Sequence, residues 1–252
     1  MRVRHLLAIL VGALGVAALV GAATNASAER ACTGEGRADG YSYAGHQAAY
    51  RGHGVRATIM LTRAPTVDAG HVAGWVGVGG PGQGLDGGDA WIQAGIASMP
   101  GMDPFLYAEI AREGRDPQFV LIEEGVPVGR SHHIAVLEMS SRPGWWRVWV
   151  DGQTATEPIR FRGSSGRWAP IATAESWNAG TSGCNSFGFR FERVSVSYGG
   201  GGSWRPFVTG HRFLDAENTL RDLAAAPAES GVYSRTLASD SVLPYAFVAA
   251  SD

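Results

Sequence analysis

The chain has 252 residues, 45% of them hydrophobic and 17% charged, with a net charge of −2. All 21 basic residues are arginine, set against 23 acids and gathered in no basic stripe, so the electrostatic footprint that nucleic-acid binding requires is missing. Residues 29–252 suffice for a single all-β domain, a class that commonly runs to about 200–250 residues.

Arg2 and Arg4 precede an apolar run from Leu6 to Ala23, and Ala26-Ser27-Ala28 offers a small-residue cleavage site. This pattern predicts a secretory signal peptide over 1–28 and hence a secreted, extracellular protein; a retained membrane anchor is the other reading of so long a run. No other stretch approaches the roughly 18 consecutive apolar residues of a membrane span, so no membrane contact is expected after cleavage. The two cysteines, Cys32 and Cys184, are expected to pair as one disulfide in an exported chain, the alternative being two buried free thiols.

Over 29–198 helical periodicity is almost absent. Short runs rich in Val, Ile, Trp and Phe recur between Gly, Pro, Asp and Ser, predicting strands at 54–62, 71–78, 90–97, 104–111, 118–122, 131–139, 145–151, 157–161, 170–177 and 187–198. Asp151-Gly152 reads as a hairpin turn. The expected fold is all-β, an antiparallel sandwich or barrel. Residues 199–252 read as a Gly-rich linker and a C-terminal extension packed on the same domain. Within it DAENTLRDLAAA (215–226) predicts a short helix capped by Asp215, with Leu220 and Leu223 on one face, and Tyr245 to Ala250 predicts a last strand.

Successive strand residues face opposite sides of a sheet, so alternation assigns faces. Val72, Val76 and Val78 form one set with Trp75 opposite; Ile92, Ala94 and Ile96 oppose Trp91 and Gln93. Leu106, Ala108 and Ile110 oppose Tyr107 and Glu109, and Trp146, Val148 and Val150 oppose Trp145, Arg147 and Trp149. In 171–177, Thr173, Glu175 and Trp177 oppose Ala172, Ala174 and Ser176. Several strands thus share a second face of aromatic rings and a few polar groups. Such a face suits an extended ligand; covering loops would explain it equally.

Other motifs lead nowhere. GVGGPG (77–82) has dinucleotide-type glycine spacing, but the PGQGLDGG that follows cannot start the helix whose amides would meet a pyrophosphate. The histidines show no zinc spacing; adjacent His132 and His133 point to opposite faces of a strand. GSSG (163–166) and GTSG (180–183) are not nucleophile elbows. No metal and no cofactor are expected.

Gln93, Glu109 and Glu175 remain, all on the aromatic face. The stretches HVAGWVGVGG (71–80), WIQAG (91–95), LYAEI (106–110), WWRVWVDG (145–152) and TAESW (173–177) resemble, in order and spacing, the eqolisins or glutamic peptidases. That resemblance covers about residues 71–198. It implies a concanavalin A-like jelly roll, secreted acid endopeptidase activity and a catalytic pair at Gln93 and Glu175, with Glu109 as a supporting carboxylate and Trp75 near the cleft. Trp91, Tyr107, Trp149 and Trp177 would complete the substrate-binding face. Ser176 departs from the family pattern, in which Trp directly follows the catalytic Glu. The implied partner is an extended polypeptide taken by a monomer. The competing expectation is a non-catalytic glycan- or peptide-binding module with Trp75, Trp91, Trp145, Trp149 and Trp177 as its platform.

Overall fold

The computed structural model describes residues 40–207, 210–223 and 245–251. The expected signal peptide, Cys32 and residues 224–226 of the expected helix lie outside these. Strands β1 to β17, numbered along the chain, form two antiparallel sheets. The first runs β15 (Gly210–Leu214), β1 (Tyr41–Ala48), β12 (Pro170–Trp177), β4 (His71–Gly80), β5 (Ala90–Ser98), β6 (Phe105–Ala111) and β7 (Gln118–Glu123). The second runs β10 (Gln153–Thr154), β9 (Trp145–Val150), β8 (Ser131–Glu138), β2 (Gly54–Leu61), β13 (Asn185–Ser197), β17 (Tyr245–Ser251) and β16 (Thr219–Asp222). Short strands β3 (Thr66–Val67), β11 (Ile159–Arg160) and β14 (Trp204–Pro206) pair at the margins of the second sheet, β3 and β14 with β13 and β11 with β9.

The inner faces of both sheets feed one apolar core. Val72, Val76, Val78, Ile92, Ile96, Leu106 and Ile110 come from the first sheet, and Ile59, Leu61, Ile134, Val148, Trp146, Phe189 and Phe191 from the second. Trp146, wholly buried, donates its indole N–H to Ser164 Oγ at 2.8 Å, and that hydroxyl donates to Phe161 O at 3.0 Å. The GSSG stretch is therefore a structural turn. Gly74 lets the sheets approach: a Cβ there would lie 2.5 Å from Phe189 Cδ1 and 2.6 Å from its Cγ. Gly74→Ala is expected to cost about 1–3 kcal/mol by overpacking, read as a lowered midpoint in urea; an unchanged midpoint would show that Phe189 relocates freely.

Two differences from the sequence expectation share a physical cause. β1 is unannounced because its inward positions are Ser42, Ala44, His46 and Ala48 rather than large apolar residues. Ser42 Oγ accepts from Asn218 Nδ2 at 2.7 Å, and His46 Nε2 meets Tyr245 OH at 2.7 Å, so these polar groups are satisfied by the C-terminal segment. That segment is the second difference, because within 215–223 the expected helix is a strand-to-strand crossing. Asp215 ends a pairing with β1, its N–H donating to Tyr43 O at 3.0 Å and its Oδ2 accepting from Tyr43 N at 2.7 Å. Thr219 to Asp222 then pair with β17, and Leu220 is buried. Asp, Asn and Thr are weak helix formers, and the sheet-edge hydrogen bonds outweigh one amphipathic turn.

Candidate active site on the outer face of the first sheet

The outer face of the first sheet carries a second apolar cluster of Ala73, Trp75, Ala97, Phe105 and Tyr107, against which Tyr43, Met99 and Ile171 pack. β4 runs through its middle with outward residues His71, Ala73, Trp75 and Gly77. β12 lies on one side, with Glu175 opposite Ala73, and β5 on the other, with Gln93 opposite Gly77.

Small side chains at those two opposing positions shape the site. Ala73 lets the Glu175 carboxylate reach between its two outward neighbours on β4. His71 Nε2 lies 2.7 Å from Glu175 Oε1, and Trp75 Nε1 donates to Oε2 at 3.1 Å. Glu175 and Trp75 are each 7% exposed. At Gly77 a Cβ would sit 2.8 Å from Gln93 Cβ and 3.1 Å from Trp75 Cζ3, so this glycine makes room for the indole beside Gln93. Trp75 thereby bonds Glu175 and stands on β4 between the positions opposite Glu175 and Gln93. Gln93 and Glu175 are not bonded to each other directly.

Gln93 is held on its other side. Its Nε2 donates to Tyr107 OH at 3.3 Å and to Glu109 Oε2 at 3.4 Å, while Trp91 Nε1 donates to Glu109 Oε1 at 3.2 Å. Both Gln93 bonds exceed the usual 2.9–3.0 Å, so exchanging one for a ligand oxygen costs little. Burial, with the charges of Glu175 and Glu109 adding to it, pushes the Tyr107 hydroxyl well above its ordinary range and keeps it protonated. Glu109 is also pushed upward, first by burial and then by the Glu175 charge, against the opposing Trp91 hydrogen bond and the charge of His71.

The Glu109 shift fixes a sign. A carboxyl group whose folded value is raised binds more protons in the folded than in the unfolded state. Its ionisation therefore costs stability as pH rises from the ordinary glutamate range through the folded value. Glu109→Gln is expected to raise thermal stability at pH 7 and to leave it unchanged at pH 3, below the unfolded value. A variant less stable at pH 7 would contradict this.

A wall of rings flanks Glu175. Tyr41 stacks on Tyr43 at 6.0 Å and on Trp177 at 5.7 Å between centroids, and His71 lies 5.5 Å from Trp177. On the far side Tyr107 stacks on Phe119 at 5.5 Å. Polar groups that hold a carboxylate, a neutral amide and a second carboxyl thus lie between two aromatic edges.

The structure brings together Trp75, Trp91, Gln93, Tyr107, Glu109, Glu175 and Trp177. It does not bring Trp149, nor its neighbour Trp145: both lie on β9 of the second sheet, facing away from the core, and Trp145 lies under the Arg142 guanidinium. Alternation gives the inward or outward sense of a residue and not its sheet, so it cannot separate Trp149 from the others. Cys184 is in the turn before β13, its N–H donating to Asp68 Oδ2 at 3.1 Å; Cys32 lies outside the described residues. His71, Tyr41 and Tyr43 were not singled out from sequence. His71 had a signal, since it stands two and four residues before Ala73 and Trp75 on the outward face. Among the described residues no group of three or more His, Cys, Asp or Glu is placed to hold a metal ion.

No protein-family profile matches this sequence, and neither does any curated protein. Solved structures do resemble it. Scytalido-glutamic peptidase bound to a peptide-based transition-state analogue shares 14% identity at a TM-score of 0.49, over 83% of this chain and 97% of the other. SCP-B, an eqolisin-family peptidase in complex with the tripeptide Ala-Ile-His, gives 13% and 0.49 over the same shares of 83% and 97%. An alginate lyase from Pseudomonas aeruginosa gives 15% and 0.42, over 60% of this chain and 66% of the other.

Proposed function

We propose that this chain is a secreted glutamic peptidase-like hydrolase on a concanavalin A-like frame, cleaving extended polypeptides at acidic pH with Glu175 and Gln93. The observation that carries the reading is the pair of differently held polar groups flanking Trp75 on β4. One is a carboxylate fixed through both oxygens; the other is a neutral amide donor fixed by long, replaceable bonds.

Peptide hydrolysis needs a base for water, an acid for the leaving amine and a donor for the developing oxyanion. Glu175 takes the proton from water as the oxygen attacks the scissile carbonyl carbon, and returns it to the amine nitrogen as the C–N bond breaks. The Gln93 amide turns one N–H from Tyr107 or Glu109 to the carbonyl oxygen as it becomes negative. A peptide lying across β12, β4 and β5 would meet Tyr41, Tyr43 and Trp177 on one side and Phe119 on the other.

Incubation with a mixed peptide library at pH 4, followed by mass spectrometry of new termini, tests the proposal. Wild-type cleavage that Glu175→Gln abolishes supports it; no cleavage across pH 3–8 overturns it. The aromatic wall of Tyr41, Tyr43 and Trp177 favours a second reading, a non-catalytic glycan- or peptide-binding module. The placement of Trp145 and Trp149 on the other sheet removes two of its five expected platform residues. Glycan-array binding without peptide cleavage would establish that reading.

Export goes with a Cys32–Cys184 disulfide in this proposal. Iodoacetamide is expected to label neither cysteine in the denatured, unreduced protein and both after reduction; labelling without reductant would contradict the bond.

A further inference from the structure

We propose that His71 is a positioning residue for Glu175, an inference that rests on Glu175 being the group that activates water. A glutamate side chain keeps several rotatable bonds, and one hydrogen bond leaves its carboxylate free to turn. Trp75 Nε1 secures Oε2 at 3.1 Å; His71 Nε2, at 2.7 Å, secures Oε1. With both oxygens held, the plane of the carboxylate is fixed. Two of its roughly four lone-pair sites remain for a water.

The imidazole is itself restrained. Its ring lies 5.5 Å from that of Trp177 and 6.3 Å from that of Tyr41, and Tyr41 stacks on Trp177 at 5.7 Å. It therefore approaches Oε1 from a fixed direction. With Glu175 ionised, Nε2 carries the ring proton that makes the bond. The side chain of His71 is 23% exposed, against 9% for that of Glu175, so the histidine closes the solvent side of the carboxylate while Trp75 closes the inner side.

A misplacement of about 1 Å in a reacting group costs on the order of 10²-fold in rate. His71→Ala is accordingly expected to lower kcat for peptide hydrolysis by about 10–100-fold, with KM within about twofold of the wild type, because the lost contact is to the catalytic group and not to the peptide. His71→Gln, whose amide N–H reaches Oε1, is expected to recover most of kcat. A proton-detected ¹⁵N spectrum supplies a readout independent of turnover. The His71 Nε2–H resonance is expected to be protected from exchange in the wild type and to lose that protection in Glu175→Ala.

Unchanged kcat in His71→Ala, or loss that appears in KM alone, overturns the inference. So does a His71 ring resonance indifferent to Glu175→Ala, whatever the activity. If the wild type cleaves no peptide yet the two side chains remain coupled in the spectrum, the peptidase reading fails, and His71 still positions the Glu175 carboxylate for whatever ligand the face holds.

Discussion

Glu175→Gln is expected to lower kcat/KM for peptide hydrolysis by about 10²–10⁴-fold, the range in which a positioned acid–base group contributes, while thermal stability changes little. The substitution is nearly isosteric, and the new amide oxygen still accepts from Trp75 Nε1 as Oε2 does now. The amide has no ionised oxygen to take a proton from water. Steady-state kinetics beside a melting curve separate the two effects. Retention of more than about a third of the activity would remove Glu175 from the base role.

Gln93→Ala is expected to cost about 10²–10³-fold in kcat, the loss measured elsewhere for one oxyanion donor, with KM little altered. Gln93→Glu is the sharper probe because it keeps the shape and, once ionised, loses the donor. It also places a carboxylate against Glu109 Oε2, where Gln93 Nε2 now donates at 3.4 Å. Burial and the charge of Glu175 already push Glu109 upward, so a third acid in the cluster meets like-charge repulsion. The variant is expected to lose activity as pH rises and its carboxyl ionises, and to be least stable at neutral pH, where repulsion is greatest. This accounts for a neutral side chain at position 93: it can donate without adding charge beside two carboxyl groups. A Gln93→Glu variant as active as the wild type would defeat the argument.

How far the sequence discloses this site follows from what alternation measures. The strands from 54 to 111, the short β3 apart, are readable because they alternate large apolar with small, polar or aromatic residues. The outward placement of Trp75, Trp91, Gln93, Tyr107, Glu109 and Glu175 came from the same pattern. β1 hides because its core-facing Ser42 and His46 are satisfied by Asn218 and Tyr245, partners far along the chain. The crossing at 215–223 hides for the complementary reason: its pairing strands β1 and β17 are remote in sequence, and local propensity carried the expectation of a helix. Trp149 shows the limit in another form, since its outward face belongs to the second sheet. His71 needed the register that sets Ala73 opposite Glu175 before its bond to the carboxylate could be seen.

The most direct test is a crystal structure with a substrate-length peptide whose scissile bond is replaced by a non-cleavable tetrahedral hydroxyl isostere. Glu175 Oε and Gln93 Nε2 are expected on the same tetrahedral centre, each about 3 Å from an oxygen bound to it. A peptide that binds along β12, β4 and β5 with either group turned away from that centre, or one that binds elsewhere on the sandwich, would contradict the assignment.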